Sequence, residues 1–257
     1  MKKMTLGFKL VAGGIIVVLI PLLVIGIFAV VKASTSLEDV AKERAEKGAA
    51  KIADLVQEVL VTELKVATEI SLSGDAANAA AGVNTEVMDK RLTDAMAKIG
   101  KDYETILITD ANGKVVSDGV KGEYKGISLA DREYFKSAKS GKPSVGTVVK
   151  SKKTGNPVAN ICAPITKDGA FVGAVLIALK IDYISAKVTA KMGQTGYGFM
   201  IDPNGLMLAH PDKANILSLN LTTLQGMEEI SKKMTAKKSG VEAYTFKGIN
   251  KIAGFSP

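Results

Sequence analysis

The chain has 257 residues, with 34 lysines and arginines against 26 aspartates and glutamates, one cysteine and one histidine. Lys2, Lys3, Lys9 and Lys32 supply half of the net charge of +8, so the remainder is an ordinary mixed surface without the basic blocks or interleaved aromatics of a nucleic-acid binder. One cysteine, Cys162, excludes an internal disulfide, and one histidine, His210, leaves no Cys/His metal cluster and no Ser-His-Asp arrangement; neither a cofactor nor enzymatic activity is expected.

Residues 1–10 read as a short basic tail. Residues 11–31, Val11 to Val31, carry no charge, and at about 1.5 Å per residue they reach roughly 30 Å, the thickness of a bilayer's hydrocarbon core. Val31-Lys32-Ala33 loosely resembles a cleavage site, but a signal peptide's apolar core usually runs only about 7–15 residues. The reading is an uncleaved transmembrane helix. Lys2, Lys3 and Lys9 precede it, so the tail is expected in the cytoplasm and the body outside.

Residues 34–72 predict one long helix. Leu37, Val40, Ala41, Ala45, Ala49, Ile52, Leu55, Val56, Val59, Leu60, Leu64, Ala67 and Ile70 form an apolar stripe with steps of about three and four. That stripe suits packing against the chain's own lobes, a helix–helix dimer seam, or each at a different height; Ala41, Ala45, Gly48 and Ala49 would allow close approach of a partner helix. Thr85 to Gly100 predicts a second helix. A β-rich stretch follows, including Thr105–Thr109, Lys114–Ser117, Ser144–Lys150 and Pro157–Pro164, and Phe171–Leu179 is apolar enough for a buried central strand.

A repeat organises this part of the chain. Ile106-Leu107-Ile108-Thr109-Asp110-Ala111-Asn112-Gly113, followed by a second apolar run, is echoed 92 positions later by Gly198-Phe199-Met200-Ile201-Asp202-Pro203-Asn204-Gly205. Asn-Gly between apolar runs predicts a hairpin whose turn residues adopt positive φ. Two such hairpins imply two copies of one β-rich lobe: residues 73–190, and residues 191–257 with only three expected strands. The second lobe therefore reads as incomplete, the chain as truncated.

Further segments carry a family resemblance. They are Asp131-Arg132-Glu133-Tyr134-Phe135-Lys136-Ser137-Ala138, Gly141-Lys142-Pro143, Ser151 to Pro164, Phe171 to Asp182, Gly193-Gln194-Thr195-Gly196-Tyr197-Gly198-Phe199 and Ala209-His210-Pro211-Asp212. In this order they resemble the double Cache sensor domains of bacterial chemoreceptors and membrane histidine kinases. The resemblance implies an α/β (α+β) fold. Behind the transmembrane and long helices it places two PAS-like antiparallel-sheet lobes, the membrane-distal one binding ligand.

The candidate site follows from residue chemistry and from that resemblance. Arg132 offers a planar fork of donors matched to a carboxylate, and Tyr134 and Phe135 can wall a small ligand. Asp182, at the end of the apolar strand, can receive an ammonium or cap the helix that follows. Amino-acid-binding members of the family carry an arginine, two aromatics and an aspartate at the places of Arg132, Tyr134, Phe135 and Asp182. Ile127 stands where those members have a tyrosine, and carboxylate recognition agrees with this sequence better than amino-acid recognition does. His210 reads as a turn residue. The expected function is the periplasmic or extracellular sensing region of a chemoreceptor, anchored in the inner membrane, homodimeric when full-length, binding an amino acid or small organic carboxylate. The alternatives are the sensor of a kinase or cyclase and a membrane-anchored interaction module.

Overall fold

The computed structural model describes residues 6–246 and 248–257. Lys2 and Lys3, on which the expected orientation partly rests, lie outside the described residues.

Helix α1 runs unbroken over 66 residues, Leu6–Ser71, where the sequence suggested an anchor and a separate helix. Nothing at the junction breaks a helix: there is no glycine or proline from Val31 to Thr35, and the Thr35 hydroxyl donates back to the Val31 carbonyl at 3.0 Å. Pro21 is the one proline inside, and the helix continues through it. The apolar window of this helix has a mean hydropathy of 3.2 and none of it is buried in the protein, so α1 is long and apolar enough to cross a membrane. It ends at Ser71, and the Ser73 hydroxyl then accepts the Ala76 N–H and starts α2 (Gly74–Ala80). α3 (Thr85–Ile99) follows.

The first lobe is a six-stranded antiparallel sheet. Its strands are β1 (Tyr103–Asp110), β2 (Val115–Asp118), β3 (Ser144–Val145), β4 (Val149–Lys150), β5 (Pro157–Lys167) and β6 (Ala170–Lys180). The order is β2-β1-β6-β5-β3, with β4 also on β5, so the apolar β6 is central as its composition requires. Helix α4 (Glu133–Lys139), which the apolar periodicity did not reveal, lies between β2 and β3 in the chain.

The pleat divides the lobe into two cores. Ile106, Ile108, Ile161, Ile165, Val175, Ile177 and Leu179 pack toward α1, α2 and α3, together with Val56, Ala67, Ala76, Met88 and Leu92. The alternate residues Leu107, Cys162, Ala174 and Leu176 pack on the opposite face with Tyr124, Leu129, Tyr134, Phe135 and Ala138. Burying each large aliphatic chain contributes roughly 1.5–3 kcal/mol, so the α1 side is the rigid wall of the lobe. The second face, roofed by α4 and the loop from 119 to 131, is where the chain leaves space.

Helix α5 (Ile181–Val188) leads into the second lobe. That lobe contains β7 (Lys191–Met192), β8 (Gly196–Tyr197), β9 (Met200–Ile201), β10 (Met207–Ala209), α6 (Glu228–Thr235), β11 (Gly240–Phe246) and β12 (Ile249–Phe255). Its strands form three antiparallel pairs, β7-β8, β9-β10 and β11-β12, where only three strands were expected; the very short β7 and β8 and the mixed composition of β12 hid them.

The repeated turns superpose in chemistry. Asp110 accepts the N–H groups of Asn112 and Lys114 at 2.9 Å each, and Asp202 accepts those of Asn204 and Leu206 at 2.8 Å each. Only the glycines have positive φ, 80° at Gly113 and 83° at Gly205; neither asparagine does. The aspartate carboxylate, rather than an asparagine in the left-handed region, closes each turn.

The small residues of α1 receive the second lobe. A Cβ on Gly254 of β12 would lie 2.0 Å from the Ala45 carbonyl oxygen, and Met192 sits against Gly48. At that height the stripe is covered by the chain itself.

Candidate functional site

Arg132 is the residue immediately before α4. Its backbone is extended (φ −79°, ψ 134°), and its carbonyl accepts the Phe135 and Lys136 N–H groups at 3.1 Å each, which starts the helix. Its side chain lines a small cavity, about 30 Å³, between α4, the loop from 119 to 131 and the outer face of the sheet. The wall includes Glu104, Leu107, Tyr134, Asn160, Leu176 and Ala178, and Lys150 and Lys152 also line it. Three cationic residues and one acid thus line it.

Two buried donors in this cavity have no partner: Arg132 Nε and Asn160 Nδ2. Leaving a buried donor unpaired typically costs about 1–3 kcal/mol, more when it is charged. A pair of them on one cavity makes it the candidate site.

The acid is already engaged. Glu104 accepts the Tyr124 hydroxyl on one oxygen and the Thr154 hydroxyl on the other, both at 2.7 Å. Lys152 donates to Asp131 at 2.7 Å and to the Ser128 carbonyl at 2.9 Å. Its bond and charge hold the Asp131 carboxyl below the usual carboxylate range. These two ties fix the turn from 151 to 156 across the cavity's edge. Burial pushes the Tyr134 hydroxyl above its ordinary pKa, with Arg132 pulling the other way, so Tyr134 is a neutral wall.

The four expected site residues part company here. Arg132 and Tyr134 line the cavity; Phe135 and Asp182 do not. Phe135 is buried one residue further round α4 and meets Phe171 edge-on at a centroid distance of 6.0 Å, anchoring the helix to β6. Asp182 lies in the first turn of α5, largely exposed, paired with Lys213 at 2.8 Å. The two-residue period of β6 presents Leu176 and Ala178 to the cavity, and the chain turns into α5 before Asp182 could follow them. Sequence reasoning missed Asn160 and Glu104. The signal for Asn160 was a lone amide within the apolar run Val158-Ala159-Asn160-Ile161-Cys162.

Residues 30–257 match the double Cache family, described as Cache domain. The chain belongs to the Cache domain family. It is 25% identical over 260 residues to the methyl-accepting chemotaxis protein McpA of Bacillus subtilis, covering 99% of this chain but only 37% of that protein. The ligand-binding domain of the Pseudomonas fluorescens chemoreceptor CtaA, solved with L-serine, has a TM-score of 0.62 at 22% identity, covering 84% of this chain and 88% of that one. The sensor domain of the Vibrio cholerae histidine kinase DctB has a TM-score of 0.61 at 11% identity, covering 79% and 86%. At these identities both structures speak for the fold alone.

Elsewhere in this Cache domain the titratable groups have structural work. Cys162 is buried, and burial alone pushes its thiol up to about 12, so it is an inert core residue. His210 Nδ1 accepts the Asp212 N–H at 2.9 Å and closes the turn before the short 3₁₀ segment Lys213–Asn215. Among the described residues, no group of three or more His, Cys, Asp or Glu side chains is placed to hold a metal ion.

Proposed function

We propose that this chain is the extracytoplasmic sensing region of a transmembrane chemoreceptor, with the membrane-distal lobe (residues 73–190) binding a small carboxylate at Arg132. The observation that carries the reading is the buried, unpartnered Nε of Arg132 in a cavity lined by three cations and one engaged acid. A guanidinium there gives a carboxylate a charge-assisted pair in a partly desolvated setting. The narrow cavity favours a small ligand. Tyr134 contributes the aromatic wall and Phe135 holds it in place from behind; Asp182 is left as a helix-start residue that pairs with Lys213.

On this reading the body lies outside the cytoplasm, the anchor is the apolar part of α1, and a chemotaxis output is supported by the likeness to McpA, of which the chain matches 37%. Signalling requires that ligand bind two arrangements of the protein unequally. The ties that cross the cavity edge, Lys152 to Asp131 and Thr154 to Glu104, are elements that a ligand would tighten or release.

Calorimetry of the purified chain in detergent, against a panel of small carboxylates and amino acids, tests the reading. Arg132→Ala should weaken the best binder at least tenfold, because loss of a desolvated charge partner costs roughly 2–5 kcal/mol. Unchanged affinity would remove Arg132 from the site.

A further inference from the structure

Resting on the carboxylate reading of Arg132, we propose that the ligand carries an oxygen, not an ammonium, on the carbon next to its carboxylate: it is a small 2-oxo or 2-hydroxy acid. An ammonium is held best by a carboxylate free of other partners, and none lines the cavity. Its one acid, Glu104, already accepts a hydroxyl on each oxygen, from Tyr124 and Thr154. The central strand offers only Leu176 and Ala178, and Asp182 stands outside in α5.

What the cavity does offer is a second donor. Asn160 is 3% exposed, on the face of β5 that carries Cys162, and its Nδ2 has no partner. Beside Arg132, Lys150 and Lys152, an added positive charge on the ligand would be repelled, whereas a carbonyl or hydroxyl oxygen would satisfy the orphaned amide. One donor serves both a keto and a hydroxyl oxygen, so the shared chemistry is a lone-pair acceptor at the second carbon.

Four compounds on one three-carbon frame isolate that group: pyruvate, L-lactate, L-alanine and propionate. Titrated by calorimetry into the whole chain in detergent, pyruvate or lactate should bind at least about tenfold more tightly than propionate, and alanine more weakly than lactate. Asn160→Leu should bring the lactate-to-propionate ratio close to one. Asn160→Asp, which exchanges a donor for an anion, should move the alanine-to-lactate ratio toward alanine by at least about tenfold; this second variant keeps the test alive if the first does not fold. Alanine binding more tightly than lactate, a preference for lactate that survives Asn160→Leu, or no binding by any of the four overturns the inference. Equal, Arg132-dependent binding of all four would overturn it too while leaving the carboxylate reading intact. Failure of every carboxylate and amino acid in the wider panel would remove that reading itself.

Discussion

Asp118 shows how one side chain can shape a site it does not enter. It is fully buried, yet its carboxylate accepts three backbone N–H groups, from Val120 at 2.9 Å, Gly122 at 2.7 Å and Tyr124 at 2.8 Å. These bonds fold the loop that brings Tyr124, Ile127 and Leu129 to the cavity wall. Asp118→Ala would leave several donors unpaired in a closed space, and is expected to lower stability by at least about 2 kcal/mol and to weaken ligand binding as the wall loosens. Melting followed by circular dichroism, with calorimetry on the same preparation, checks both halves; an Asp118→Ala protein that melts with wild type would show that water replaces the carboxylate. Legibility at this scale was uneven. Arg132 and Tyr134 stand out because an arginine beside aromatics is chemically distinctive, while Asn160 and Asp118 act through burial and direction, which depend on neighbours far away in the chain. For Asp182 the sequence left two places open, the end of the strand and the start of the helix, and the fold puts it in the first turn of α5.

Among the elements, the long helix was readable from its period and the sheet from apolar runs bounded by turns, and α4 was not because seven residues offer only two turns. The contact between α1 and β1 is where element packing meets titration. Glu63, buried on α1, accepts the Tyr103 hydroxyl at 2.8 and 2.9 Å. Burial raises the Glu63 pKa above its ordinary 4.5, against a smaller lowering by the Tyr103 bond. A raised native pKa means that the folded state holds the proton more tightly than the unfolded chain does. The stabilisation is therefore complete below the unfolded value of 4.5 and is lost as pH rises through the higher native value. Glu63→Gln keeps an acceptor for Tyr103 and removes the charge. Its melting temperature relative to wild type should improve from about pH 4 to about pH 7. A constant difference across that range would mean that Glu63 ionises in the native state as freely as in water.

At the scale of the whole molecule, topology and assembly both depend on α1. A periplasm-active phosphatase fused after residue 75 is expected to be active, because Lys2, Lys3 and Lys9 lie on the short flank of the apolar run; activity of a cytoplasmic reporter at the same point would reverse the orientation. The dimer question has been narrowed by the fold. The sequence left the stripe of small residues free for either a partner helix or the chain's own lobe, since both want close approach. In the structure Gly254 takes Ala45 and Met192 takes Gly48, so a partner helix has no room there. Nearer the apolar window of α1, Leu37 is 71% exposed and Val40 41%, with Ala41 exposed beside them. A parallel pair of α1 helices would bury these three, and the shared membrane would supply the effective concentration that so short a seam lacks. Single cysteines at Leu37, Val40 and Ala41, in a Cys162→Ser background, are thus expected to crosslink in membranes with helical periodicity, while cysteines at Ala45 and Ala49 stay silent. Crosslinking at Ala45 as strong as at Ala41 would mean that β12 leaves α1 when two copies assemble, and silence at all five positions would place the two helices apart.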